Sequence, residues 1–230
     1  MSYFDGKKVL MVMAHPDDEL IFGWPILQDA SISKTLLICS SDLENPKRKW
    51  CSHRRFALEK LCEGLGIHVE CLDYDSEFYR LESRAVARKS TMSTLLSRLR
   101  RAPRPLKADA RGEKLSSMIE DVLARIWRFE FDLVYTHNAW GEYGHLDHHL
   151  VHSIVASVGV PTIVSDIFVE SNWFPNKRIP PTLKRLYCRK IVQTCENNLE
   201  FYERCRKVYV DAGVWTWSEP PVTSCDLYEV

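Results

Sequence analysis

No apolar run in this sequence is long enough to cross a bilayer or to form the core of a signal peptide. The first, Val9 to Ala14, falls short of the roughly 7 to 15 residues of a signal core, and no later run nears the roughly 20 of a membrane helix. A soluble protein without a membrane anchor is expected. An excess of charge is missing too. Lysine plus arginine equals aspartate plus glutamate, 31 against 31, so global charge gives no reason to expect a nucleic-acid or membrane partner. None of the eight cysteines stands in a CxxC pair. Most lie in apolar or helical stretches, where a thiol packs as a small hydrophobe, so reduced cysteines and a cytoplasmic protein are expected. The even count also allows four disulfides in a secreted protein, but no export signal accompanies it. There is no internal repeat.

What is present suits one α/β domain. A chain of 230 residues fits one hydrophobic core. Strand-like runs (Lys8–Ala14, Lys34–Ser41, His68–Asp75, Phe131–His137 and Pro161–Val169) alternate with segments of helical period near 19–30, 52–65, 113–129 and 146–158. This alternation predicts a Rossmann-like open, mostly parallel sheet with helices on both faces. After Pro180 and Pro181, an amphipathic stretch ending near Val210 predicts one or two C-terminal helices. The segment 84–111 breaks the alternation and carries nine Lys or Arg against Asp109 alone. It reads as a solvated surface insertion or as a lid that meets an anionic group on a substrate.

Two polar clusters follow strands. His15-Pro16-Asp17-Asp18-Glu19 comes directly after the first, and Gly141 to His149 comes a few residues after Phe131–His137. In an open parallel sheet, loops at strand carboxyl ends bind ligands, so the clusters meet at one edge if both strands are parallel. Two histidines and a carboxylate drawn from such loops can hold a catalytic metal with room for water. Adjacent Asp17 and Asp18 point apart, so one can bind metal while the other faces water. His145 and His148, at i and i+3, can address one site from different depths. Each cluster alone would also serve as a polar helix start. His152 is an alternative ligand through its HxxxH spacing with His148, whereas His53, His68, His137 and His149 read as surface or structural residues.

With the motifs Ala14-His15-Pro16-Asp17-Asp18-Glu19 and Gly144-His145-Leu146-Asp147-His148, the chain resembles the LmbE-like, or PIG-L, de-N-acetylase family from about residue 7 to 160. The resemblance implies zinc held by His15, Asp18 and His148, with iron or cobalt also accepted by such a site. It implies Asp17 as general base, His145 as general acid or electrostatic stabiliser, Asp147 as the residue that orients His145, and Tyr143 as a contact to the carbonyl oxygen. Arg54 and Glu142 are candidate substrate contacts. Arg55 competes with Arg54 for the register of the family arginine, and Ala57 stands where the family usually has a glutamate.

The implied activity is hydrolysis of the acetamide of an N-acetylated amino sugar or glycoconjugate to free amine and acetate. Without an N-terminal anchor, a soluble glycoside, nucleotide-linked sugar or glycosylated metabolite fits better than a phosphatidylinositol substrate. Hydrolysis of a non-sugar amide is the rival activity, and a sugar-binding module with a relic metal site is the non-catalytic rival. Retention of every motif residue speaks against the relic.

Overall fold

Val9 to Met13 are buried on both sides of their strand, as residues are when helices cover both faces of a sheet. The computed structural model describes residues 2–40, 51–74, 110–168, 190–218 and 220–230, with backbone alone at 51 and 110–115. Its described strands are β1 (Lys8–Met13), β2 (Ser33–Ser40), β3 (His68–Tyr74), β4 (Leu133–Thr136), β5 (Thr162–Ser165), β6 (Ile191–Glu196) and β7 (Ser224–Glu229). They form one sheet of order β3-β2-β1-β4-β5-β7-β6. The pairs from β3 through to β5 are parallel, and β7 runs antiparallel to both β5 and β6.

Period-two alternation along the strands supplies two cores. Met11, Met13, Leu36 and Ile38 pack with Leu58 and Leu61 of α3 (Cys51–Leu65) and with Tyr202, Cys205 and Tyr209 of α7 (Leu199–Asp211). Leu10, Val12 and Leu37 face the other way, onto Met118, Val122 and Ile126 of α4 (Ala110–Arg128) and Val151 and Val155 of α6 (Leu146–Val158). The expected α/β sheet with helices on both faces is present.

The details depart from expectation in three places. Where one helix was expected over 19–30, there are two of four residues each, α1 (Asp18–Ile21) and α2 (Trp24–Leu27). Gly23 lies between them. A Cβ there would stand 2.6 Å from the Met11 methyl carbon and 2.7 Å from the Glu19 carbonyl oxygen, so the chain bends where only glycine lets it press on β1. In the described part of the expected C-terminal helical stretch a strand, β6, precedes α7, which begins at Leu199. Strand β7, inserted between β5 and β6, is absent from the sequence reading. Of the basic segment, 84–109 lie outside the described residues, as do 169–189 ahead of β6. The six cysteines described as side chains are free. Among the described residues, no helix is long and apolar enough to cross a membrane.

The strand order reverses at β1, whose neighbours are β2 and β4. The crevice beyond the carboxyl ends of β1 and β4 is therefore the topological switch point, where ligands bind in folds of this kind.

Candidate active site

Both polar clusters open into that crevice. Leaving β1, the chain turns so that the His15 amide donates to Asp18 Oδ2 at 2.8 Å. Asp17 follows at the N-cap of α1 with φ 97°, a left-handed conformation that aspartate tolerates better than most residues. Two contacts hold it. Its amide donates to Glu19 Oε2 at 2.9 Å, and its carboxylate lies 3.0 Å from Nη2 of Arg54, on α3.

Beyond β4 the chain forms the short helix α5 (Gly141–Gly144) before α6. Gly141 has φ 64°, and a Cβ there would meet the His149 ring at 3.1 Å. Glu142 takes φ 54° without being glycine, a strain of about 1–3 kcal/mol that its surroundings must offset. Asn138 and Glu142 answer each other: the Asn138 amide donates to Glu142 Oε1 and the Glu142 amide to Asn138 Oδ1, both at 3.0 Å. Asn138 Nδ2 also donates to the carbonyls of Ser165 and Ile167, tying the loop to the end of β5.

The result is a buried lattice of imidazoles and carboxylates. His148 Nδ1 meets Glu142 Oε2 at 2.6 Å, and His15 Nε2 meets Asp147 Oδ2 at 2.8 Å. Each ring thus has one nitrogen occupied by a carboxylate, while the other faces Asp18 Oδ2, His15 Nδ1 at 3.2 Å and His148 Nε2 at 3.3 Å. His148 Nε2 is buried and has no hydrogen-bond partner. A buried nitrogen without a donor or acceptor, set against a carboxylate, fits a cation.

Among the described residues, two groups of side chains have donor atoms close enough to share an ion: His15 with His145 and His148, and Asp18 with His137 and His148. Hydrogen bonding separates them. His137 Nε2 accepts from the Ala14 amide at 2.9 Å, so its lone pair is engaged and its proton sits on Nδ1, facing Glu142. His145 Nδ1 accepts from the Asp147 amide at 3.2 Å, capping α6 and leaving the proton of the neutral ring on Nε2. His15 and His148 remain as the rings whose inward nitrogens have no such backbone claim, and Asp18 Oδ2, which takes the His15 amide, is a carboxylate oxygen with a further lone pair to offer an ion.

Electrostatics point the same way. Burial opposes charge on Asp18, but His148 and His15 outweigh it and hold the carboxyl well below the usual range. Burial likewise works against the His15 and His148 cations, yet Asp18 with the other carboxylates lifts them to about 10 and about 9. Burial raises Asp17 to about 6, with Arg54 pulling it down. Burial pushes the His145 ring towards its neutral form, and the neighbouring histidines add to this.

The structure brings His15, Asp17, Asp18, His145, Asp147 and His148 together. Tyr143 stands beside them, its ring 5.5 Å from that of His145 and 5.4 Å from that of His148. Two expectations need correction. Asp147 orients His15 rather than His145, from whose Nδ1 its carboxylate is 4.0 Å away. Glu142, expected as a substrate contact, is 1% exposed with both oxygens turned to His137, His148 and Asn138, so it orients the histidines from beneath. Arg54 meets Asp17 and also donates to Thr216 Oγ1 at 2.9 Å, while Arg55 turns to Glu59 and Asp73, so of the two it is Arg54 that faces the site.

His152 belongs to neither group, and its Nδ1 bonds the His137 carbonyl at 2.8 Å. His53 and His68 are exposed. The sequence reading missed His137 as a buried partner of Glu142, and it missed Trp217, whose ring lies 5.6 Å from Tyr143 and 5.7 Å from Phe22. His137, at the end of a strand and five residues before Glu142, carried a signal; Trp217 carried none.

Comparison with known proteins gives a family and a fold. The model for the GlcNAc-PI de-N-acetylase family, PIG-L, matches residues 10–158. No curated protein sequence matches the chain. Among solved structures, a deacetylase in complex with teicoplanin, from the teicoplanin biosynthesis pathway, is 12% identical with a TM-score of 0.56, covering 97% of this chain and 98% of that one. A zinc-inhibited form of teicoplanin deacetylase is 12% identical with a TM-score of 0.52 over the same shares. The A40926 pseudoaglycone deacetylase is 13% identical with a TM-score of 0.50, covering 91% of this chain and 82% of that one. At these identities the likeness is one of fold.

Proposed function

The chain belongs to the PIG-L family of GlcNAc-PI de-N-acetylases, and on that premise we propose that it is a zinc-dependent hydrolase removing the acetyl group from an N-acetylated amino sugar or glycoconjugate. The observation that carries the reading is the buried, unpartnered His148 Nε2 facing Asp18. His15, Asp18 and His148 would hold the ion. Asp147 and Glu142 would fix the two rings by taking their outer N–H groups. Bound there, a divalent ion supplies Lewis acidity and lowers the pKa of water.

The chain's own groups supply the rest. Asp17, raised by burial to about 6 and kept ionised by Arg54, accepts a proton from the attacking water near neutral pH. His145, neutral with Nε2–H directed by its capping bond, donates to the developing oxyanion. Water adds to the acetyl carbon, the carbon–nitrogen bond breaks, and the proton that Asp17 took from the water leaves with the amine. The products are acetate and the free amino group.

A carbohydrate substrate is supported by the aromatic surface that Trp217, half-buried, builds with Tyr143 one ring away from His145 and His148. Aromatic walls around a few placed polar groups suit a ligand that is apolar on its ring faces and polar at its rim. The test is to incubate metal-loaded protein with a panel of N-acetylated sugars, glycosides and nucleotide-linked sugars, with non-sugar acetamides as a separate arm, and to measure acetate. Acetate from sugars alone supports the reading. Acetate from the non-sugar arm alone transfers the activity to another amide, and none from either arm removes it.

A further inference from the structure

Glu19 and Tyr209 are fully buried, and the mechanism above uses neither. The Tyr209 hydroxyl, on α7, donates to Glu19 Oε1 at 2.6 Å, and the Asp17 amide donates to Glu19 Oε2 at 2.9 Å. Each carboxylate oxygen thus has a donor, and the two donors come from opposite ends of the chain. Tyr209 lies beyond residue 158, where the family match ends.

Asp17 needs such a partner. It caps a helix of only four residues, makes no side-chain capping bond, and sits at φ 97°. The amide of a residue in that position has no acceptor within its helix, and a carboxylate reaching back from the first turn can provide one. Arg54 then holds the other end of the residue, at Oδ2. Asp17 is pinned at its backbone and at its carboxylate by two different helices' side chains, and the backbone pin is itself held by a third helix. Glu19 and the Tyr209 hydroxyl are both shut off from water, a cost that filling space alone does not require.

We propose that Tyr209 and Glu19 form a buried strut through which α7 holds the Asp17 backbone in its left-handed conformation, and so aims the general base. Both are positioning residues, and the inference rests on the reading of Asp17 as that base. If the strut is lost, the Asp17 backbone relaxes and its Cα–Cβ direction swings. A displacement of about 1 Å at a reacting group costs on the order of 10²-fold in rate.

The experiment compares Tyr209→Phe and Glu19→Gln with Tyr202→Phe, which removes a hydroxyl from another buried tyrosine of α7. All are made in the full chain and loaded with metal. Tyr209→Phe is expected to lower kcat about 10- to 100-fold, leave KM and metal content unchanged, and speed hydrogen exchange at the Asp17 amide. Glu19→Gln keeps an oxygen for that amide and is expected to lose less, while Tyr202→Phe changes none of these. Wild-type kcat in Tyr209→Phe overturns the proposal, as does a fall in kcat without faster exchange at Asp17. Wild-type kcat in Asp17→Asn is a different failure: it removes the base, whereas exchange at the Asp17 amide still reports whether the strut exists.

Discussion

Asp17 has to stay ionised while almost buried, and Arg54 3.0 Å away is what reconciles the two. Asp17→Asn keeps the size and the hydrogen bonding but cannot accept a proton. Its kcat is expected to fall about 10²- to 10⁴-fold with metal content unchanged, which elemental analysis beside an acetate assay would measure; near-normal turnover at full metal content would remove Asp17 from the reaction. Glu142→Gln tests the opposite kind of residue. It weakens the grip on His148 and His137, so metal affinity should drop about 10- to 100-fold in a chelator competition, and an unchanged affinity would mean that packing alone orients the rings. At this scale the motifs named the right residues but not all their partners. Spacing places Asp147 within a turn of His145, yet its carboxylate faces His15, 132 residues away in the chain. A local pattern specifies which turn a side chain leaves from, and only the packed sheet specifies which ring it meets.

Among the elements, β1, β2, β4 and the helices α3, α4 and α6 were legible because apolar periodicity is strongest where both faces of a strand, or a full stripe of a helix, are buried. Strand β6 was not. Its burial is weak and irregular, as befits a strand at the edge of the sheet, and its residues also fit a helical stripe. The break between α1 and α2 was hidden for another reason, since it depends on how closely Gly23 approaches β1 rather than on any local preference. Gly23 has φ −91°, which alanine also adopts, so Gly23→Ala isolates the steric effect. That variant is expected to lose about 1–3 kcal/mol in urea unfolding. No loss would show that Met11 and the α1 backbone yield without cost.

For the molecule as a whole, the site is a reservoir of negative charge that must hold either protons or a cation. His15 and His148, lifted to about 10 and about 9, both carry an extra proton near neutral pH in the metal-free protein. Burial works against those protons, and Asp18 and the other carboxylates outweigh it. Metal has to displace them, so affinity should rise with pH until the rings deprotonate, with up to two protons released per ion. Calorimetry in buffers of different ionisation enthalpy measures this directly; uptake without proton release would exclude the two rings as ligands.

The place of β7 has a consequence in time. It comes after β6 in the chain but sits between β5 and β6, so it is the strand that joins β6 to the rest of the sheet. A ribosome makes the chain in order. Until Ser224 to Glu229 have emerged, β5 presents a bare edge to its surroundings and β6 has no β7 to pair with, a state open to pairing with other chains. Both motifs are synthesised well before that moment, so the nascent protein carries a complete set of site residues on an unfinished sheet.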